Sequence, residues 1–164
     1  MASGVQNWRF VYKYAVFNSQ TSISPYKLAS RITTQLVQKV EYKYALNPIK
    51  IHQFPYHKNE FEDLNFEFID GDTEIAEGLK LILTPGHTPG SQTLLVDTDD
   101  GVYALVADLV NTRECWESDP KLANGYHTDL IVHYQSFDKV AAMADHILEG
   151  HEFKVFEHEC YPYK

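Results

Sequence analysis

TPGHTPGS, at residues 84–91, is the stretch that decides how the rest of the chain is interpreted. Two prolines and two glycines surround His87 and hold the backbone in a tight course on both sides of it. A metal-binding imidazole needs such support, because ligand distances tolerate only a few tenths of an ångström. A lone histidine in a loop is more often a surface residue, but this setting favours His87 as a metal ligand.

Strand patterns lie on both sides of this loop. Apolar residues recur with a period of two at residues 66–68 and 79–83, which predicts strands. Two further apolar runs, 93–97 and 102–107, are joined by an Asp- and Gly-rich turn at 97–101, which predicts a hairpin. His87 is therefore expected in a connection between two strands.

Two helices are predicted outside this strand region. The first lies within residues 25–46, begins at the Ser24-Pro25 cap, and ends before Asn47-Pro48. The second begins at a Ser136 cap, ends near Gly150, and has its apolar positions at Phe137, Val140, Ala144 and Ile147. Helices on strands predict an α/β (α+β layered) domain.

Asp108 and His151 are the other candidate site residues. Asp108 follows the apolar run VYALVA, and an acid there either caps the next turn or supplies oxygen to a metal ion. His151 lies in Gly150-His151-Glu152, directly after the second predicted helix. Taken alone, His151 is more often structural than a ligand.

With the TPGHTPG loop, these residues resemble the metallo-β-lactamase-fold hydrolases, and more closely their N-acyl homoserine lactonase-like branch. The stretches at 36–48, 126–130 and 150–162 also match. The resemblance implies that His87 binds one metal, that Asp108 bridges two, and that His151 binds the second. It implies a partial αββα sandwich, mostly its C-terminal half, over residues 36–164, and leaves 1–35 as an unplaced N-terminal segment.

Several family features are missing. The family has an HxHxDH motif upstream, and no HxH pattern occurs among the eight histidines of this chain. Asp145-His146 matches only the end of that motif, and we predict His146 on the surface of the second helix. Glu149 stands where proline is usual, Glu152 where aspartate is usual, and Asn111 near the position of a substrate-contacting tyrosine.

The resemblance implies a metal-dependent hydrolase that uses one or two divalent ions such as Zn²⁺ on a lactone or ester. Two protein ligands per ion are fewer than the three that catalytic zinc sites use, so weak metal binding and impaired catalysis are expected. His57, His127 and His158 are candidate substitute ligands, although His52 and His57 are more simply interpreted as loop residues and His158 as structural. The ligands could also come from a second chain, for example in a homodimer. The alternative is a non-catalytic remnant or pseudoenzyme that acts through association.

Composition excludes other classes. The 164 residues have a net charge of −9, which argues against nucleic-acid binding, although residues 1–60 contain eight basic and two acidic residues. The longest apolar runs, at 79–83 and 102–110, are shorter than the ~18 residues of a membrane span. The chain has two cysteines, no CxxC and no secretory signal pattern at its start, so a cytoplasmic location is expected.

Overall fold

The protein is described by a computed structural model at residues 34–53, 56–158 and 161–162. Its strands are β1 Gln35–Gln38, β2 Phe66–Ile69, β3 Thr73–Ala76, β4 Leu79–Leu83, β5 Gln92–Thr98, β6 Gly101–Ala107 and β7 His146–Glu149. Its α-helices are α1 Lys39–Leu46, α2 Lys58–Phe61, α3 Arg113–Glu117 and α4 Leu130–Ala141. Short 3₁₀ turns cover Lys50–His52 and Phe153–Phe156.

The strands form two sheets. β1 and β2 pair in parallel, and β3 to β7 form a five-stranded sheet in that order. Neighbouring strands of the larger sheet are antiparallel, except for the parallel pair β6–β7. Strands β4, β6 and β7 therefore run in one direction, and their carboxyl ends lie at the same edge of the sheet.

Both faces of the larger sheet are covered, as the continuous apolar runs of β5 and β6 require. One face packs Leu95 and Val106 against Phe137 and Val140 of α4. The other face packs its apolar side chains against the smaller sheet, through Ile69 of β2. This layering confirms the predicted α/β class and agrees with a partial αββα sandwich.

The strand predictions at 66–68 and 79–83 and the 93–107 hairpin are confirmed. The hairpin loop is shorter than expected, because β5 continues to Thr98 and β6 begins at Gly101. Gly101 has a φ of 107°, a left-handed value that glycine adopts without strain.

The first helix prediction is wrong in part. Residues 25–33 lie outside the described residues, and residues 35–38 form β1 instead of helix. Leu36 and Val37 pair with Glu67 and Phe68 of β2, and this distant pairing overrides their helical spacing. The predicted stop is confirmed, because α1 ends at Leu46.

The second helix prediction is wrong at both ends. Asp129 caps α4 by accepting a hydrogen bond from the backbone N–H of Val132, so the helix begins before Ser136. The helix ends at Ala141, and Ile147 lies in β7. His151 therefore follows a strand and not a helix.

His146 is also corrected, since it lies in the edge strand β7 and not on a helix surface. Its ring stacks on Tyr103 with centroids 4.3 Å apart, and its Nε2 is 2.9 Å from the carbonyl oxygen of Asp100.

Among the described residues, none of the helices is both long and apolar enough to cross a bilayer.

Helix α1 holds one end of the 84–91 loop. Glu41 accepts a hydrogen bond of 2.8 Å from the backbone N–H of Gly90 and a second from the Tyr56 hydroxyl. Burial and the nearby Glu41 carboxylate raise the pKa of Tyr56, so this hydroxyl stays a donor. A Cβ at Gly90 would lie 2.3 Å from the Cβ of Glu41, so α1 and the loop meet only because residue 90 has no side chain.

Gly90→Ala is expected to lower the free energy of unfolding by about 1–3 kcal/mol, because the added methyl forces α1 away from the loop. Urea denaturation followed by circular dichroism measures the change. Gly125→Ala is the matched control, since a Cβ at Gly125 meets nothing within 4 Å. Equal stability of the two variants would contradict the close approach of α1.

Candidate metal centre

The loop at 84–91 is rigid because it bonds to itself. The backbone N–H of Thr84 donates to Ser91 O over 2.8 Å, and that of Gly86 donates to Thr88 O over 3.0 Å. The Thr88 N–H also donates to the Ser91 hydroxyl over 3.0 Å. These bonds leave His87 at the tip of a closed turn, as the sequence predicted.

The start of α4 secures the same loop from the other side. Gly86 O accepts from the backbone N–H and the hydroxyl of Thr128, at 2.8 and 3.0 Å. The Ser136 hydroxyl donates to Pro85 O over 2.6 Å. Ser136, predicted as a helix cap, is thus a buried tether between α4 and the loop.

His87 is oriented by a backbone carbonyl. Its Nδ1 lies 2.5 Å from Tyr126 O, and because a carbonyl only accepts, Nδ1 carries the hydrogen. In the neutral ring, Nε2 then has a free lone pair, and it lies 3.7 Å from Oδ2 of Asp108. A metal-binding histidine is held in the same way, with one ring nitrogen tied to a protein acceptor.

Asp108 and His151 meet because β6 and β7 are parallel neighbours. Oδ1 of Asp108 is 2.6 Å from Nε2 of His151. The two strand ends are joined further by backbone N–H donors of Gly150 and His151 to Val110 O and Asn111 O, at 2.9 and 2.8 Å. A Cβ at Gly150 would lie 2.3 Å from a backbone oxygen of β6, so this approach also requires glycine.

The three residues selected from the sequence therefore lie together, and one carboxylate oxygen of Asp108 faces each imidazole. Their donor atoms, two imidazole nitrogens and a carboxylate, are those that Zn²⁺ and similar ions prefer. Their number is too small for a complete site. In the described ranges, no three His, Cys, Asp or Glu side chains are grouped so that they could hold an ion. The donors fit a divalent cation in kind, and they fall short of a catalytic site in count.

The two unusual glutamates next to His151 form a local network. Glu149 is fully buried, and its Oε1 lies 2.8 Å from Nε of Arg113 at the start of α3. Burial raises the pKa of Glu149 above its usual value, and the nearby Arg113 charge offsets this only in part. Glu152 accepts from the Arg113 backbone N–H over 3.3 Å. These contacts join the segments that carry Asp108 and His151.

Sequence reasoning missed two buried histidines near His87. His52, interpreted as a loop residue, is only 1% exposed and stacks on Tyr126 with centroids 4.4 Å apart. Its ring centroid is 6.0 Å from that of His87. His133 is 0% exposed in α4. Its place one helical turn before Phe137, on the apolar side, was the available signal.

The three candidate substitute ligands have different surroundings in the structure. His127 bonds through Nδ1 to Asn124 O over 2.6 Å, and its ring centroid is 6.4 Å from that of His133. His57 is exposed just before α2. His158 packs edge-on against Tyr161 with centroids 5.6 Å apart.

A family model described as the metallo-beta-lactamase superfamily matches residues 28–148. An N-acyl homoserine lactonase of Bacillus sp is 37% identical over 102 residues, which cover 61% of this chain and 38% of that protein. The N-acyl homoserine lactonase AttM of Rhizobium radiobacter is 29% identical over 132 residues, covering 73% of this chain and 49% of that protein.

A solved structure of an N-acyl homoserine lactone hydrolase, with the product N-hexanoyl-L-homoserine at its catalytic metal center, superposes with a TM-score of 0.61. It is 29% identical, and the match covers 80% of this chain and 52% of that chain. The chain thus spans between about two fifths and one half of the length of these relatives.

The buried histidines make stability depend on pH. Burial lowers the pKa of His52 and His133, and nearby His87 and His127 lower both further. Their contribution to stability is fully present above the unfolded pKa near 6.5 and is lost as the pH falls through the folded pKa. We expect the free energy of unfolding to fall from pH 7 to pH 5 in urea denaturation. His133→Gln should reduce this slope, and an unchanged slope would count against the effect.

Proposed function

The chain belongs to the metallo-β-lactamase superfamily, and on that premise we propose that it is a lactonase-like metallo-hydrolase with an incomplete metal centre. The single observation that carries the proposal is the meeting of His87, Asp108 and His151 at one edge of the sheet. Asp108 lies 2.6 Å from His151 and 3.7 Å from His87. Three donors from three separate connections, with the His87 ring already oriented by a carbonyl, support a cation site.

The proposed ligand is a divalent cation such as Zn²⁺, bound weakly by Asp108 together with His87 or His151. When bound in such a site, the ion supplies Lewis acidity toward an ester carbonyl and lowers the pKa of water. The chain's own residues orient His87 through Tyr126 and align the two strand ends through Gly150. The proposed substrate class is a lactone or related ester, since the similar proteins are named as lactonases.

Weak binding follows from the number of ligands. Loss of a group that only supports a ligand lowers metal affinity about 10–100-fold, so the absence of ligands themselves should lower the affinity further. The direct hydrogen bond between His151 and Asp108 lowers the cation affinity further, because a bound cation must replace it. We therefore propose that hydrolysis by this chain is impaired unless a second polypeptide, such as another copy in a homodimer, supplies further ligands. A cytoplasmic location stays a prediction.

One observation favours the alternative, a non-catalytic protein that acts through association. Asp108 and His151 satisfy each other without an ion, and no group of three ligating side chains occurs where the structure describes the chain. In this alternative the contacts of the site serve stability alone.

Zinc titration separates the two functions. We expect calorimetry on the purified protein to show binding weaker than micromolar, lost in His87→Ala and retained in His146→Ala, whose side chain bonds to the β5–β6 turn. Hydrolysis of N-hexanoyl homoserine lactone should be slow and dependent on zinc.

Micromolar binding abolished by His87→Ala would overturn the incomplete centre. Absence of any His87-dependent binding, with no hydrolysis, would leave the non-catalytic alternative, and the native mass from the same sample tests the homodimer.

A further inference from the structure

His133 is a buried polar side chain for which the cation site described above has no use. It is 0% exposed, and its Nε2 lies 2.9 Å from Leu109 O. Because the carbonyl oxygen only accepts, Nε2 carries the hydrogen and the neutral ring leaves Nδ1 as an acceptor. That Nδ1 is buried without a hydrogen-bond partner in the described structure.

This arrangement is costly for a residue that only fills space. A buried polar atom without a partner loses its hydrogen bonds to water, whereas an apolar side chain would pack against Phe137 without that loss. The His133 ring meets Phe137 edge-on, with centroids 4.9 Å apart, so the surroundings suit an aromatic or aliphatic residue. Core packing therefore explains why a ring lies at this position. It does not explain why that ring is a histidine bonded to Leu109 O.

The hydrogen bond acts on the residue next to Asp108. Leu109 directly follows Asp108, and its carbonyl is held by the donor from α4. Leu109 N–H donates to Val106 O over 3.1 Å, so both polar groups of Leu109 are bonded as the chain leaves β6. The position of Asp108 is therefore tied to the position of α4.

The backbone of His133 also supports the His87 loop. A Cβ at Gly86 would lie 2.4 Å from the Cα of His133, so the loop rests directly on α4 at this residue. The His133 N–H donates to Asp129 O over 3.0 Å, and the Asp129 N–H donates to Gly86 O over 3.1 Å. One residue of α4 thus contacts both segments that carry the facing site residues, His87 and Asp108.

From these contacts we infer that His133 is a positioning residue, whose ring N–H and backbone together set the separation of His87 and Asp108. Its relevance to cation binding rests on the proposed function, whereas its effect on the geometry of the site does not.

The test compares His133→Gln with His133→Met. The two side chains are similar in length, but only glutamine has an N–H donor near the position of Nε2. His146→Met is the matched control, because His146 also faces a backbone carbonyl but lies at the far end of β7 from His151. Imidazole ¹⁵N shifts of His87 and His151 are measured in metal-free protein, together with the unfolding midpoint in urea.

We expect the His87 and His151 signals to move in His133→Met, to stay near their wild-type positions in His133→Gln, and to be unchanged in His146→Met. The Zn²⁺ affinity should fall about 10–100-fold in His133→Met, as for lost support of a ligand. Equal shifts in both His133 variants, or none in either, would overturn the inference. If His133→Met does not fold, two measurements remain. The His87 and His151 shifts of His133→Gln must stay near their wild-type positions, and the wild type must show a through-bond coupling between His133 Nε2 and the Leu109 carbonyl carbon. Failure of either would overturn the inference. If the wild type binds no zinc, the proposed function fails, and the metal-free shifts still judge His133.

Discussion

The direction of three strands is the constraint on which the site depends. β4, β6 and β7 run the same way within one sheet, so the segments that follow them leave at a common edge. These segments carry His87, Asp108 and His151 respectively. Parallel pairing of β6 with β7 brings Asp108 within 2.6 Å of His151, although 42 residues separate them in the chain.

Glycines and tethers convert that shared edge into a defined geometry. Gly86, Gly90 and Gly150 each lie where a Cβ would collide with another segment, at 2.3–2.4 Å. Helix α1 contacts the loop through Glu41, while Thr128, just before α4, and Ser136 within α4 contact it from the other side. The site is therefore rigid through its surroundings more than through its own side chains. This rigidity explains how the donors stay oriented although their count is too low for a complete metal centre.

Local patterns predicted the sheet better than the helices. Period-two alternation at 79–83 and the Asp- and Gly-rich turn at 97–101 are short-range signals, and both were confirmed. Residues 35–38 and Ile147 had helical spacing and nevertheless form strands, because each pairs with a strand distant in sequence. Strand pairing of this kind depends on partners that no window of neighbouring residues contains. The true cap of α4, Asp129, lay seven residues before the predicted one.

The sequence by itself determined the family resemblance, the candidate donors His87, Asp108 and His151, and the absence of an HxH pattern from these 164 residues, since each depends only on residue types and their order. Only the tertiary structure decided that these donors meet, that His52 and His133 are buried beside them, and that Glu149 pairs with Arg113. The physical reason is that burial and side-chain contact arise from packing between distant segments. The residue type histidine is the same in a loop, on a surface and in a core, and its role depends on the residues that surround it in the folded structure.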